Sequence, residues 1–299
     1  SVNNIDVSIH DGDEIIKLVE FADRILQFKK NTMYIINISG NTEYLEGEFK
    51  FKGIFSEGAV TRTDYGVVWV NNLGCYMYDG RSVTDLLDDG GIRKIKASTW
   101  STFIGTDGKE RVGFNPFKKQ IIVKQGTDAE GGYIYDMGTK SWVYSTFVVQ
   151  NGPPTYCPNF INDPTDGALC MYDGVNDTLD VWSDTPFDSE PSINITTKDF
   201  DFGEPSVNKK VYKVYITYKA NDSVVPTVTY DTDGNTGLTE PTIATTPFTN
   251  TSGQWTRAEY RFNSDANNCK SMQLKIAGDT HREFEINDIT FIYRIKSIK

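Results

Sequence analysis

Histidine is nearly missing from this 299-residue sequence: His10 lies in a polar stretch and His281 in a Gly-Asp-Thr-His-Arg turn. Neither has a Cys or Glu at metal-ligand spacing, so both read as loop residues rather than ligands or general bases. The four cysteines (Cys75, Cys157, Cys170 and Cys269) form no CxxC pair. Each sits among apolar or aromatic neighbours, where a free thiol behaves as a small buried hydrophobe, and they read as reduced core residues made in a cytoplasm. No apolar run approaches the ~20 residues of a membrane helix. The Gly-x-Ser-x-Gly elbow and the phosphate loop are missing as well. Long amphipathic helical patterns are scarce; Asp13–Phe28 fits a short helix, although its Ile-Ile and Leu-Val pairs suit strands equally. The opening SVNNIDVS has neither an initiator Met nor a charged-then-apolar leader, as expected of a fragment, a processed chain or the ordered part of a longer one.

What is abundant is aromatic: 17 Phe, 16 Tyr and 5 Trp, a composition that favours pleated strands. The net charge is −11 and uneven, because residues 188–299 hold 15 acidic and 13 basic side chains and the rest hold 26 and 17. A net-acidic first part is a poor wrapper of nucleic acid, since phosphate binding needs clustered Lys and Arg. It can still surround DNA without gripping it; the plain alternative is ordinary solubility. Five Asn-x-Ser/Thr sequons, at Asn37, Asn176, Asn194, Asn221 and Asn250, are weak evidence for secretion in a chain this rich in Asn and Thr.

The strongest pattern is a repeat. Val67–Leu87 (VVWVNNLGCYMYDGRSVTDLL) reads as strand, turn, strand ending in Tyr-Asp-Gly, and the start of a third strand. Echoes occur at Gly132–Tyr144 and Leu169–Trp182, with a fainter one at Thr32–Tyr44 that puts Asn37 in the Asp position. Aligned on Tyr78-Asp79, Tyr135-Asp136 and Tyr172-Asp173, the intervals are 42, 57 and 37 residues, close to the spacing of four-stranded propeller blades. The 57-residue interval is expected to carry a longer loop at Asp85–Gly91. The aromatic before Asp is expected to pack between blades. Asp would cap the turn into the outer strand with its own side chain, and Gly would take positive φ. About four repeats are visible, so closure is expected to need N-terminal residues or a partner.

The short runs Arg24–Phe28, Thr32–Ile38, Val67–Val70, Gly74–Tyr78, Ser98–Gly105, Arg111–Asn115, Gln120–Lys124, Gly132–Asp136 and Ser141–Phe147 are read as its strands. The Pro-rich, acidic Asp184–Pro191 marks a boundary. The chain is divided into a β-propeller-like domain over 1–187 and an antiparallel β-sandwich, jelly-roll-like, over 192–299. In the second, Tyr212, Val214, Ile216 and Tyr218 share a face, as do Ala258, Tyr260 and Phe262, and Met272, Leu274 and Ile276. Phe284 and Ile286 keep one parity while Ile289, Phe291, Tyr293 and Ile295 keep the other, which predicts a β-bulge at Asn287-Asp288.

Candidates for chemistry are few. Asp231-Thr-Asp233-Gly-Asn235-Thr-Gly237 superficially resembles a calcium loop, but Gly falls at positions four and seven and position twelve is Thr242, which favours a loop tip between strands. The carboxylate pairs Asp88-Asp89, Asp199/Asp201 and Asp163/Asp166 could flank a glycosidic bond across a propeller pocket. The Ser-x-Asp-x-Gly-x-Thr-Trp box of sialidase propellers is missing, however; Thr106-Asp107-Gly108 lacks both its Ser and its Trp. Trp182, Tyr215 and Trp255 could stack sugars, or serve as core. No residue is nominated as catalytic, cofactor-binding or metal-ligating, and no cofactor is expected.

Two segments carry a family resemblance. Phe49–Leu87, with its apolar-Tyr-Asp-Gly strand ends, resembles the incomplete β-propellers of bacteriophage tail nozzle and packaged-DNA stabilisation proteins. Asp199–Lys219 (DFDFGEPSVNKKVYKVYITYK) resembles the start of the β-sandwich appended to such propellers. The resemblance implies a non-enzymatic virion protein, synthesised in the host cytoplasm and placed in the tail or neck. It would be one subunit of a homo-oligomeric ring that closes or lines the DNA exit channel. Its partners would be other copies of itself, adjacent tail or portal-adaptor proteins, and packaged DNA passing without specific binding. Assembly surfaces would include the loops around Asp85–Gly91 and Gly126–Gly131. A rival resemblance, of Phe284–Phe291 (FEINDITF) to the closing strand of galactose-binding-like jelly rolls, implies a carbohydrate-binding tail-tip adhesin; a propeller glycosidase is the third class.

Overall fold

A computed structural model describes residues 12–125, 131–146, 159–173, 178–182, 192–220, 226–235, 237–243, 248, 252–279 and 284–296. The chain divides into two compact units, Ser1–Ser183 and Asp184–Lys299. The architecture is all-β, an incomplete propeller of about four blades followed by an antiparallel β-sandwich. Asp184–Pro191 lies outside the described residues.

The first unit is a succession of antiparallel meanders. The first blade is β1 (Ile15–Phe21), β2 (Arg24–Lys29), β3 (Thr32–Asn37) and β4 (Tyr44–Lys50). Asp13–Phe28 is therefore a strand pair. The second blade is β5 (Val60–Thr63), β6 (Gly66–Val70), β7 (Cys75–Tyr78) and β8 (Val83–Asp85). A small hairpin, β9 (Asp88–Asp89) and β10 (Ile92–Arg93), and helix α1 (Ala97–Ile104) follow. The third blade is β11 (Glu110–Asn115), β12 (Gln120–Gln125), β13 (Gly131–Asp136) and β14 (Ser141–Thr146). The last has three strands, β15 (Phe160–Asn162), β16 (Leu169–Asp173) and β17 (Thr178–Val181). Inner strands such as β6 are wholly buried, whereas the outer strand β4 is mostly exposed. Leu26, Phe28, Trp69, Trp100, Val112 and Ile121 lie in one core that runs through the first three blades. Between the third and fourth blades the approach is closer still, and a Cβ at Gly113 would sit 2.6 Å from the Phe160 ring.

The repeat marks the turn from the third to the fourth strand of a blade. Tyr78 is buried in the core, Asp79 Oδ1 accepts the Arg81 and Ser82 N–H groups at 2.8 Å each, and Gly80 takes φ 94°. In the third blade Asp136 Oδ1 accepts from Gly138 (3.0 Å) and Thr139 (2.8 Å). Asn37 does the same work in the first blade, its Oδ1 accepting the Ser39 N–H at 2.9 Å. A short polar side chain that bonds the backbone two or three residues on is what allows the chain to reverse there.

One strand expectation fails. Ser98–Gly105 is not a strand but lies in helix α1 and its C-terminal Gly. Its Ser, Thr, Trp, Phe and Ile content is β-prone, but propensity is a weak prior that tertiary packing overrides. Trp100 and Ile104, four apart, are fully buried on one helical face. Trp100 Nε1 also donates to the Asn71 carbonyl at 2.9 Å, and Gly105 at φ 67° ends the helix.

The second unit packs two sheets. One comprises β18 (Ser192–Thr196), β23 (Met272–Asp279) and β20 (Thr227–Thr232), in that order. The other is ordered β21 (Thr242–Ile243), β22 (Thr256–Arg261), β19 (Lys209–Ala220) and β24 (Phe284–Ile295). Val214, Ile216, Tyr218, Tyr260, Met272, Leu274 and Ile276 fill the space between them. The bulge lies where the parity switch places it: Thr217 pairs with Asp288 and Tyr218 with Ile286, leaving Asn287 extra. A second bulge was not foreseen. Val211 pairs with Tyr293 and Lys213 with Ile292, so Tyr212 is the extra residue on β19. Val211 therefore turns inward and Tyr212 outward, against the expectation that Tyr212 shares the face of Val214.

The Asp79 cap yields a test. Its N–H partners at Ser82 and Arg81 hold the carboxyl below its ordinary value of 3.8, so the stabilisation is present above that value and is lost as pH falls through the lower folded one. Asp79→Ala is expected to cost about 1 kcal/mol at neutral pH. Asp79→Asn should cost less, because Asn37 already serves the first blade. Thermal melts should show the Ala deficit shrinking in acid; an Ala variant as stable as the parent at neutral pH contradicts the assignment.

Candidate functional site

One concavity in the first unit lies between α1 and strands β13 and β14 of the third blade. It is an open cavity of about 440 Å³ lined by Ser98, Thr99, Thr102, Phe103, Tyr133 and Tyr144. The helix supplies Ser98 and Thr102, and Thr99 and Phe103, each pair four residues apart and hence neighbours on its surface. The sheet supplies Tyr133 and Tyr144, direct cross-strand partners on one face of β13 and β14. Their rings lie 5.0 Å apart at 66°, and Phe103 meets Tyr133 edge-on at 4.9 Å. Behind them Trp100 contacts Tyr133 and Trp142, both at 5.6 Å, and Trp142 Nε1 donates to the Leu86 carbonyl at 2.9 Å. The aromatic wall is thus backed by packed indoles.

None of the six lining residues is a carboxylate, lysine, arginine or histidine. Burial, with Tyr144 nearby, pushes the Tyr133 phenol above its ordinary value, so it stays a neutral donor and acceptor at physiological pH. The described lining of the cavity offers ring faces and hydroxyls. The cavity is hard to see in the sequence because four of its six lining residues lie in Ser98–Gly105, whose composition reads as a strand. The Tyr133/Tyr144 pair, set symmetrically about the Met-Gly-Thr-Lys turn, was the available signal.

The described carboxylates considered for a glycosidase pair are engaged by hydrogen bonds, while the Asp89 side chain lies outside the described residues. Asp88 Oδ1 accepts from Gly91 N–H, Asp163 Oδ1 from Thr165, Asp166 Oδ1 from Ala168 and Asp201 Oδ1 from Gly203. Asp199 Oδ2 accepts the Ser271 hydroxyl at 2.8 Å. In the calcium-like stretch, Asp233 Oδ1 accepts the Lys270 and Ser271 N–H groups at 2.5 and 3.0 Å. Tyr230 and Thr239 exchange backbone bonds at 2.9 Å, so the stretch is a loop tip between paired segments. Among the described residues no group of three His, Cys, Asp or Glu is placed to hold a metal ion.

Cys75, Cys170 and Cys269 are buried free thiols, and burial pushes all three above the ordinary thiol value. His10, His281 and Cys157 lie outside the described residues. Of the aromatics considered for stacking, Tyr215 lies beneath Arg257 (4.2 Å) and Lys213 (4.7 Å). Trp182 meets the edge of Phe160 at 6.0 Å, and Trp255 is exposed, with Lys219 6.0 Å from its ring centre.

A buried carboxyl lies elsewhere. Glu110, at the start of β11, is fully buried; its Oε1 accepts the Phe55 N–H at 3.2 Å, while Oε2 meets no partner. Burial raises its proton affinity, and the Phe55 N–H and the Arg111 charge reverse only part of this. It joins the third blade to the segment leading into the second.

No family model matches the chain, and no curated protein matches it. Among solved structures, one similarity is to an exo-β-1,3-galactanase of Phanerochaete chrysosporium with galactose. Identity is 9%, covering 94% of this chain and 69% of that one, with a TM-score of 0.21. A variant of that enzyme with β-1,3-galactotriose gives 10%, 92%, 80% and 0.24. Likenesses at these TM-scores carry no argument about fold or function.

Glu110 gives a pH signature. Its folded proton affinity exceeds the unfolded one, so ionising it costs stability as pH rises past the ordinary value of 4.5. Glu110→Gln is expected to melt higher than the parent at pH 7, with the gap closing towards pH 4. A gap independent of pH contradicts the buried-carboxyl account.

Proposed function

We propose that this chain is a non-enzymatic structural subunit of a phage virion, part of a ring at a tail or neck nozzle that closes or lines the DNA exit channel. The carrying observation is the edge of the last blade. Among the described residues that blade has three strands, and its outer strand β17 leaves Leu179 60% and Val181 61% exposed. Exposed apolar side chains on an outer strand suit packing against another chain, and a second copy supplies one at every position of a ring. The charge of the first unit is consistent with this role, because an acidic wall repels phosphate and lets a duplex pass without sticking. Asp88, Asp163 and Asp201, which a hydrolase reading would recruit, each accept a backbone N–H within a local turn.

Partners under this reading are further copies, adjoining tail or portal-adaptor proteins, and DNA passing without specific contact. The test is electron microscopy of intact particles with gold-labelled antibody to this chain. Label confined to one vertex, on tail or neck, is the expected result. Particles without label, or labelled over the whole capsid, overturn the reading.

A further inference from the structure

We infer that the cavity between α1 and the third blade is a saccharide-binding site, taking one or two neutral sugar units at the end or within a polysaccharide. This is independent of the nozzle reading, which uses other residues.

The argument rests on the chemistry of the walls. Phe103, Tyr133 and Tyr144 meet at steep angles, 90° and 66°, forming a corner rather than a closed stack. Tyr144 is 50% exposed, leaving aromatic surface open to solvent. Such rings offer an apolar body with a polar tip, which suits a pyranose, whose C–H face is apolar and whose rim is hydroxylated. Opposite them Ser98, Thr99 and Thr102 present three hydroxyls, each able to donate and accept. A ligand rich in hydroxyls can satisfy both functions; a purely apolar ligand would leave them unmatched. The cavity volume, about 440 Å³, falls in the range of small-ligand sites.

The site also selects against other ligands. With no Lys, Arg or His among its lining residues, it has no counter-charge for a phosphate, sulfate or uronate. No carboxylate stands among its described lining residues to form an acid–base pair for cleaving a glycosidic bond, so the activity expected of the site is binding. Its backing is rigid: Trp142 is held to the Leu86 carbonyl and Trp100 to the Asn71 carbonyl, both at 2.9 Å. The corner is therefore preformed, which limits the ordering cost of binding.

Affinity electrophoresis tests this with the full chain in native gels containing dextran, mannan or hydroxyethyl cellulose, and alginate as the anionic comparison. Retardation is expected with at least one neutral polymer and not with alginate. Tyr144→Ala should weaken it at least tenfold, and Thr102→Arg, which fills the cavity, should abolish it. Both positions are exposed, so unchanged melting temperatures will show that the fold is intact. Trp255→Ala, in the other unit, should have no effect. No retardation by any neutral polymer overturns the inference. So does retardation that survives both cavity variants, or that Trp255→Ala removes.

Discussion

Sheets in a propeller share no backbone ladder, so beyond a few backbone bonds such as Ile54 N–H to the Lys29 carbonyl at 3.0 Å, what holds one blade to the next must come from side chains. Here the constraint is met by side-chain N–H groups that reach a carbonyl at a blade junction. Trp69 Nε1 donates to Lys52 O at 2.8 Å, and Asn71 Nδ2 to Phe51 O and Gly53 O at 3.0 and 2.9 Å. Trp100 Nε1 then uses the carbonyl of Asn71 itself, Trp142 Nε1 that of Leu86, and Asn162 Nδ2 that of Phe114, each at 2.9 Å. Each indole buries a large ring while its one polar atom is satisfied by a backbone carbonyl. The same two tryptophans that tie the second and third blades together brace the aromatic corner of the cavity. Structure and candidate site thus depend on one set of bonds.

The blade order was legible because the repeat is chemical as well as hydrophobic. Asp or Asn caps the turn in each of the first three blades, a buried Tyr precedes it in the second and third, and the positive φ falls on Gly80 in the second and on Lys140 in the third. The Asn287 bulge was legible for a related reason, since a period of two makes one extra residue visible as a change of parity. Tyr212 shows where that logic ends. Val211 and Tyr212 are both acceptable inward residues, so no change of polarity marked the second bulge.

The candidate site was far less legible. A cavity formed by a helix and a strand pair depends on which faces meet, and α1 was hidden because its composition matches a strand. Its buried face consists of Trp100 and Ile104, two β-prone residues whose helical spacing is unremarkable in eight. Of the carboxylates that look like catalytic pairs in one dimension, Asp88, Asp163, Asp166 and Asp201 are, in three, the acceptors of turns.

The proposal that copies of this chain complete one another at the β17 edge is tested most directly by sedimentation velocity on the purified full chain. Wild type is expected to form a closed oligomer over a range of concentrations, and a Leu179→Lys, Val181→Lys double variant is expected to sediment as a folded monomer. A wild type that remains monomeric throughout, or an oligomer indifferent to both lysines, would contradict the account.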